Sequence, residues 1–431
     1  MVVDALDQQT RSAIDAVWRI EAARVIAGIA HLVRDVGLAE ELAQDALVAA
    51  LEQWPRDGVP ERPGAWLTAV GKRRAIDLIR RHETYARKLA EVGRDLETGA
   101  ALDTEAELEA VLGRVDDDRI EDDLLRLVFT ACHPVLSTDA RVALTLRMLG
   151  GLRTEEIARA FLVPEATVAQ RVVRAKKNLA KANVPFEVPG GQERGERLGS
   201  VLEVIYLIFN EGYSATAGDD WMRPALCEDA LRLVRLLQGL MPEEPEVHGL
   251  AALLEIQASR SAARTGLDGE PVLLMDQNRS RWDHLLIRRG FAALARAEAA
   301  QTGAPGPYTL QGAIAACHAS AADAADTDWR RIALLYGQLA RTAPSPVVEL
   351  NRAVAVARAD GPEQGLAIVD ALLDEPALKD YHLLPSVRGD LLERLGRRAE
   401  ARAEFERAAG LTRNAKERAL LLERAAGAGT P

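Results

Sequence analysis

The segment TEEIARAFLVPEATVAQRVVRAKKNL, residues 154–179, contains two short helical patterns separated by a turn. Thr154 can cap the first helix, two acids suit its amino end, and an apolar stripe of Ile157, Ala158 and Phe161 follows. In the second pattern apolar residues recur at helical spacing, at Val168, Val172, Ala175 and Leu179. This spacing predicts a helix-turn-helix unit.

The second of these helices has a cationic face opposite its apolar stripe. That face carries Gln170, Arg171, Arg174, Lys176 and Lys177. A helix anchored by its apolar side and cationic on the other suits the major groove of DNA. If about four of the cations neutralise phosphates, the logarithm of the affinity falls with the logarithm of the salt concentration with a slope of about −3.6. A plain helical hairpin with a solvated basic face is the alternative.

The composition predicts an all-α chain of several domains. The 431 residues exceed what one hydrophobic core usually organises, helix formers are frequent, and only 4% of the residues are aromatic. The net charge of −11 is unevenly distributed. Residues 72–88 carry seven Lys and Arg against two acids, residues 171–181 carry five against none, and residues 91–123 between them hold thirteen acids against three bases. Two basic segments therefore flank an acidic connector.

Breaks in helical periodicity divide the chain into segments. The predicted units are a helical domain at 11–85, an acidic linker at 86–118, a helix-turn-helix domain at 119–182 and a long helical domain at 196–425. Within the first unit, residues 54–64 hold three prolines and two glycines and predict a surface loop between two helices.

Several classes of site and location are not expected. The three cysteines lie far apart without the spacing of zinc ligands, so neither a disulfide framework nor a metal site is predicted. No nucleotide-binding or acyl-transfer motif is present, which predicts no cofactor and no enzymatic activity. The chain lacks a long apolar stretch, and its amino end lacks a signal-peptide pattern, so we expect a soluble cytoplasmic protein without a membrane partner.

The first unit carries an acidic helix followed by a basic one. The stretch from Asp35 to Trp54 is amphipathic, with Leu38, Leu42 and Leu51 expected inward and Glu40, Glu41 and Asp45 outward. An acidic face suits a basic protein partner rather than DNA. The following stretch, residues 63–81, carries the aromatic Trp66 and the cations Lys72, Arg73, Arg74, Arg80 and Arg81.

These segments resemble, in order, regions 2 and 4 of the sigma-70 family, in its extracytoplasmic-function group. Residues 35–54 resemble region 2.2, residues 63–81 resemble regions 2.3 and 2.4, and residues 141–177 resemble region 4. One departure is Leu162, at a turn position where family members usually carry Gly. Another is Arg73, where family members commonly carry Asn.

The resemblance implies a sigma factor that binds core RNA polymerase, through the β′ clamp and the β flap, and promoter DNA. It implies three groups of site residues. The polymerase-binding group is Asp35, Glu40, Glu41 and Asp45; the group at the −10 element is Trp66, Lys72, Arg73, Arg74, Arg80 and Arg81; and the group at the −35 element is Thr154, Thr167, Gln170, Arg171, Arg174, Lys176 and Lys177. For Trp66, a core position that closes the helical domain is favoured over base stacking.

The long extension resembles the carboxyl-terminal helical domain of one sigma-factor subgroup. Residues 384–409 resemble a tetratricopeptide helix pair with Gly396 at its turn, and residues 347–372 form a weaker copy with a turn at 360–362. The resemblance implies a regulatory or stabilising domain that binds a regulatory protein or a small ligand. Two polar segments, 209–213 and 276–283, are candidates to line a pocket or to bind the sigma regions, with helix caps and buried salt bridges as the alternative.

Three other functions stay open at this point. A helix-turn-helix transcriptional regulator with a helical sensor domain would bind duplex DNA without polymerase. A hydrolase or transferase site in the extension would need a convergent cluster of carboxylates and histidines. A scaffold role would rest on residues 346–425 alone.

Overall fold

The computed structural model describes residues 2–93, 117–266 and 270–428. Its chain divides into two compact units, Met1–Val204 and Ile205–Pro431. The described residues form eighteen α-helices and one pair of two-residue strands, which confirms the all-α prediction. None of these helices is both long enough and apolar enough to cross a membrane.

The described residues of the amino-terminal unit form seven helices and the first part of an eighth. They are α1 (Val2–Val33), α2 (Val36–Asp57), α3 (Pro63–Gly93), α4 (Asp117–Ala131), α5 (Thr138–Met148), α6 (Thr154–Phe161), α7 (Glu165–Lys181) and α8 (Gly191–Tyr213).

Helix α1 lies at the centre of this unit and packs against α2, α3 and α4. Its core side chains include Trp18, Ile26 and Ile29, which are nearly or fully buried. The approach of α3 to α1 is close, because a Cβ atom added at Gly71 would lie only 2.3 Å from Cδ1 of Ile29. Small side chains at such crossings let two helices bury their apolar faces against each other.

Two boundaries differ from the sequence-based predictions. Helix α2 continues through Pro55 to Asp57, so the loop predicted at 54–64 is reduced to residues 58–62. Gly58, with a φ of +84°, ends the helix, and its N–H donates to the carbonyl of Trp54. Helix α3 extends to Gly93 and so includes the first residues of the predicted acidic linker; residues 94–116 of that linker lie outside the described residues.

Helix α8 is shared between the two units, and the division falls after Val204. Its first half packs on the end of α4: Arg197 donates to the carbonyl of Phe129 at 3.1 Å, and the Ser200 hydroxyl donates to the carbonyl of Cys132 at 2.6 Å. The predicted start of the long helical domain, residue 196, precedes these two side chains. A truncation there would therefore remove contacts of the amino-terminal unit.

In the carboxyl-terminal unit, the described residues form the end of α8 and ten further α-helices. They are α9 (Pro224–Leu240), α10 (Pro245–Ser259), α11 (His284–Ala300), α12 (Pro307–Ser320), α13 (Trp329–Thr342), α14 (Pro346–Ala359), α15 (Pro362–Asp370), α16 (Leu383–Arg394), α17 (Arg398–Leu411) and α18 (Ala415–Ala428). Strands β1 (Ala217–Gly218) and β2 (Arg413–Asn414) pair in parallel, and the Asn414 amide donates to the carbonyls of Ala215 and Asp220.

Two helix pairs near the carboxyl end turn at glycines, at the positions expected from the sequence. Gly361 (φ +116°) precedes α15, and Gly396 (φ +74°) lies between α16 and α17. In the second pair the helices pack tightly, since a Cβ atom added at Gly389 would lie 2.7 Å from Cε1 of the fully buried Phe405. These hairpins share one apolar core with α18.

Candidate functional site

Helices α6 and α7 form the predicted helix-turn-helix. Ile157 and Ala158 of α6 are buried, and Val168, Val172, Ala175 and Leu179 form the buried stripe of α7 as predicted. The predicted capping role of Thr154 is wrong by one residue. Arg153 is the cap residue, and its backbone N–H donates to a carboxylate oxygen of Glu156 at 2.8 Å.

The turn between α6 and α7 keeps the left-handed conformation despite lacking glycine. Leu162 has φ +50° and ψ +43°, and its side chain points to solvent with 54% of its surface exposed. For an L-residue this conformation costs about 1–2 kcal/mol. The packing of the two apolar stripes therefore sets the turn, and Leu162 tolerates the strain.

Replacing Leu162 by Gly should raise the free energy of unfolding of the amino-terminal unit by about 0.5–1 kcal/mol, because relief of the left-handed strain exceeds the added entropy of the unfolded chain. Leu162→Ala keeps the Cβ atom, and hence the strain, and serves as the matched control. Hydrogen exchange of the α6 and α7 amides, measured in the full chain at increasing guanidinium concentration, gives the difference in free energy of unfolding. An equal gain from Ala would show that the backbone conformation is not the cause.

The cationic face of α7 is only partly free. Gln170, Arg174 and Lys177 are exposed, whereas Thr167 is half-buried. The Arg171 guanidinium lies 2.6 Å from the Asp139 carboxylate of α5, and both groups face solvent. Such a surface ion pair is worth at most about 1 kcal/mol, so a phosphate can replace Asp139. Thr154 is half-buried at the start of α6.

Lys176 is held by a carboxylate from the acidic helix α2. Its Nζ lies 2.5 Å from Oε2 of Glu40, while Nε of Arg147 in α5 donates to Oε1 of the same carboxylate at 2.9 Å. Glu40 is only 4% exposed. The prediction that Glu40 faces outward is therefore wrong, because two cations compensate its burial. We call these three residues the Glu40 bridge.

A second ion pair joins α6 to α1. Nη2 of Arg19 in α1 donates to Oε1 of Glu156 at 2.6 Å. Partial burial alone would raise the pKa of the Glu156 carboxyl, but hydrogen bonds from the Arg153 backbone and from Arg19 outweigh it, and the pKa is lowered. Glu156 is thus ionised at neutral pH and adds to the contact that the Glu40 bridge makes.

The remaining acidic residues of α2 point to solvent. Asp35 caps the helix by accepting a hydrogen bond from the Leu38 N–H at 2.9 Å, and the Glu41 side chain is 69% exposed. Asp45 is exposed and lies 3.3 Å from Arg74 of α3. Leu51, predicted inward, is 42% exposed, so the apolar face of α2 does not include it.

The cations of α3 follow one another along that helix. Arg73, Arg80 and Arg81 are exposed, and Lys72 and Arg74 are half-buried. Trp66 is half-buried and packs edge-on against the buried Trp54, with ring centroids 5.3 Å apart. This contact fits the preferred interpretation of Trp66 as an aromatic that closes the helical domain.

In the carboxyl-terminal unit the two polar segments singled out in the sequence meet around one side chain. The Arg260 guanidinium lies 5.7 Å from the ring centroid of Tyr213 and 5.8 Å from that of Trp282. Within the part of the chain that the structure describes, no group of three His, Cys, Asp or Glu side chains is arranged to hold a metal. Burial raises the pKa of the Cys132 thiol to about 11 and that of Cys227 to about 12, which keeps both protonated.

Comparison with known families agrees with this geometry. The family model for sigma-70 region 2 matches residues 20–84, which cover the end of α1 from residue 20, all of α2 and the first part of α3. The model for sigma-70 region 4 matches residues 126–179, which contain the helix-turn-helix. The chain thus contains sigma-70 regions 2 and 4, in that order. The first part of its extension, residues 197–298, matches a family of unknown function, DUF6596.

Two relatives share longer stretches with this chain. It is 46% identical over 389 residues to the uncharacterized protein R00370 of Rhizobium meliloti, which covers 90% of this chain and 89% of that protein, so the two belong to one family. It is 26% identical over 182 residues to the probable ECF RNA polymerase sigma factor SigI of Mycobacterium tuberculosis, over 42% of this chain and 59% of SigI. No solved structure matches the chain.

Proposed function

We propose that this protein is an RNA polymerase sigma factor of the extracytoplasmic-function group, which binds core polymerase and directs promoter-specific initiation. One observation carries the proposal: the chain folds matched sigma-70 regions 2 and 4 in order, and exposes acids on α2 and cations on α3 and α7. Region 2 and region 4 would each bind only a short DNA element. When both are docked on polymerase, binding of one region raises the effective concentration of the other at the promoter.

The exposed acids of α2 are the proposed polymerase contact. Asp35, Glu41 and Asp45 would face the β′ clamp, and region 4 would face the β flap. The side chain of Glu40 serves the bridge to region 4 in this structure, so its part in polymerase binding requires the bridge to open.

The cations of α3 and α7 are the proposed DNA contacts. On α3, Lys72, Arg73, Arg74, Arg80 and Arg81 would hold the backbone of the −10 element near Trp66. On α6 and α7, Thr154, Thr167, Gln170, Arg171, Arg174, Lys176 and Lys177 would read the −35 element. Phosphate contacts position the helix, while side chains such as Gln170 can reach base edges.

The carboxyl-terminal unit is the proposed regulatory or stabilising part. Its hairpins α14–α15 and α16–α17, with turn glycines 35 residues apart, support a tetratricopeptide-like arrangement. Stacked hairpins of that kind present surfaces for a regulatory protein or a small ligand.

Glu41→Lys should weaken binding to core polymerase about tenfold, because it reverses an exposed charge in the proposed contact. DNA preference should not change. Binding of labelled full chain to purified core polymerase measures the effect, and Glu61→Lys, an exposed acid in the loop after α2, is the matched control. Equal affinities for both variants and the parent would remove α2 from the polymerase interface.

A further inference from the structure

Three arginines of the carboxyl-terminal unit form a cluster, which we call the arginine cluster. Arg260 follows the last residue of α10, Arg264 follows shortly after it, and Arg279 lies in the segment before α11. Arg260 is 8% exposed and Arg264 is 6% exposed, while Arg279 is half-buried.

Aromatic rings bring the three guanidinium groups together. Arg260 and Arg264 share the ring of Tyr213, with the Arg264 guanidinium 3.5 Å from its centroid. Arg260 and Arg279 share the ring of Trp282, and the Arg279 guanidinium lies 5.0 Å from that centroid. Like charges are thus concentrated in one buried region, where their mutual repulsion is weakly screened.

No carboxylate of the described residues forms an ion pair with this cluster. Arg279 donates to the carbonyls of His318 and Ala321 and to the Thr327 hydroxyl. Asp323 and Asp326 act on Arg279 at longer range. Several buried nitrogens have no hydrogen-bond partner among the described residues: Nε of Arg260, Nη1 of Arg264, Nε of Arg279, Nε1 of Trp282 and Nδ1 of His318.

Elsewhere the same unit pairs its partly buried arginines with carboxylates. Nε and Nη2 of Arg235 donate to the two carboxylate oxygens of Glu255 at 2.7 and 2.9 Å, and Arg223 pairs with Glu211. A buried charge without a counter-charge is costly, so a set of guanidiniums that pair with no carboxylate of the described residues calls for a compensating anion.

The histidine next to the cluster adds no charge to it. Burial, together with the charges of Arg260 and Arg279, lowers the pKa of His318 to about 3, so its imidazole is neutral. Burial raises the pKa of Tyr336 to about 12 against the opposing charge of Arg260.

We propose that the arginine cluster is a binding site for a small oxyanion, the phosphate or carboxylate group of a low-molecular-weight ligand. The planar guanidinium fork matches two oxygens of such a group. Some N–H donors of the cluster have no acceptor among the described residues and can bind these oxygens. This inference goes beyond the proposed function, because binding requires neither polymerase nor promoter.

The test is calorimetric titration of the full chain with inorganic phosphate, pyrophosphate and citrate at constant ionic strength, with chloride as the control ion. We expect saturable binding at one site for at least one of these oxyanions. Arg264→Gln should weaken it about 10- to 100-fold, because a charge-assisted hydrogen bond is lost. Arg260→Lys, which keeps the charge but loses the fork, should also weaken it. Arg288→Gln, an exposed arginine of α11, is the control and should bind as the parent does.

Two results would overturn the proposal. One is the absence of saturable binding of all three oxyanions to the folded parent chain; the rings alone would then compensate the charges. The other is binding that Arg264→Gln and Arg260→Lys leave unchanged while both variants keep the parent's circular dichroism spectrum. Phosphate and citrate distinguish a phosphate ligand from a carboxylate ligand.

Discussion

Replacing Glu40 by Gln should lower the free energy of unfolding of the amino-terminal unit by about 2–4 kcal/mol. The carboxylate is 4% exposed and bridges Lys176 of α7 and Arg147 of α5. Without its charge, two partly buried cations lose their common partner, and removing one member of a buried pair is strongly destabilising. The value lies below that for a fully buried pair, since both cations retain some exposure.

Glu41→Gln is the matched control for this change. Glu41 is the next residue, lies 3.7 Å from Lys176 and is 69% exposed, so its loss should change stability by less than about 0.5 kcal/mol. Hydrogen exchange in α2 and α7 of the full chain measures both variants on the relevant helices. Equal protection in Glu40→Gln and Glu41→Gln would show that the Glu40 bridge does not hold region 4 against region 2.

The Glu40 bridge should also be visible in the salt dependence of DNA binding. While the Glu40 bridge is intact, Arg171, Arg174 and Lys177 can reach phosphates, so α7 contributes about −2.7 to the slope for nonspecific duplex DNA. Glu40→Gln frees Lys176 as a fourth cation and should steepen the contribution of α7 to about −3.6, the value expected from the sequence alone. The corresponding gain in affinity is largest at low salt.

Fluorescence anisotropy of a labelled duplex across a salt series measures these slopes for the parent and both variants. Glu41→Gln should keep the parent's slope, because it leaves Lys176 bound to Glu40. Arg174→Gln should reduce the slope by about 0.9, since one exposed cation is lost. A parent slope already near −3.6 that Glu40→Gln does not change would contradict the sequestration of Lys176.

Local spacing was enough to predict the helix-turn-helix. The stripe from Val168 to Leu179 follows directly from helical periodicity, and it packs as expected even though Leu162 replaces the usual glycine. The glycines at the hairpin turns were equally readable, because a left-handed turn residue leaves a local signal.

The Glu40 bridge was not predicted, because Arg147 and Lys176 lie 107 and 136 residues after Glu40 in the sequence. A signal was nevertheless present: Glu40 is four residues after Val36 and three before Ala43, both of which are buried on the inner face of α2. The arginine cluster could not be predicted from the sequence either, because only tertiary packing brings residues 209–213 close to residues 276–283.

The most direct test of the sigma-factor proposal is run-off transcription by purified core polymerase on templates taken from start sites mapped in cells that overproduce this chain. The account predicts a discrete transcript that requires the full chain and that is lost when Arg171 and Arg174 are both replaced by Gln. A chain that neither binds core polymerase nor yields any transcript, while footprinting duplex DNA alone, would contradict it and would favour a conventional helix-turn-helix regulator.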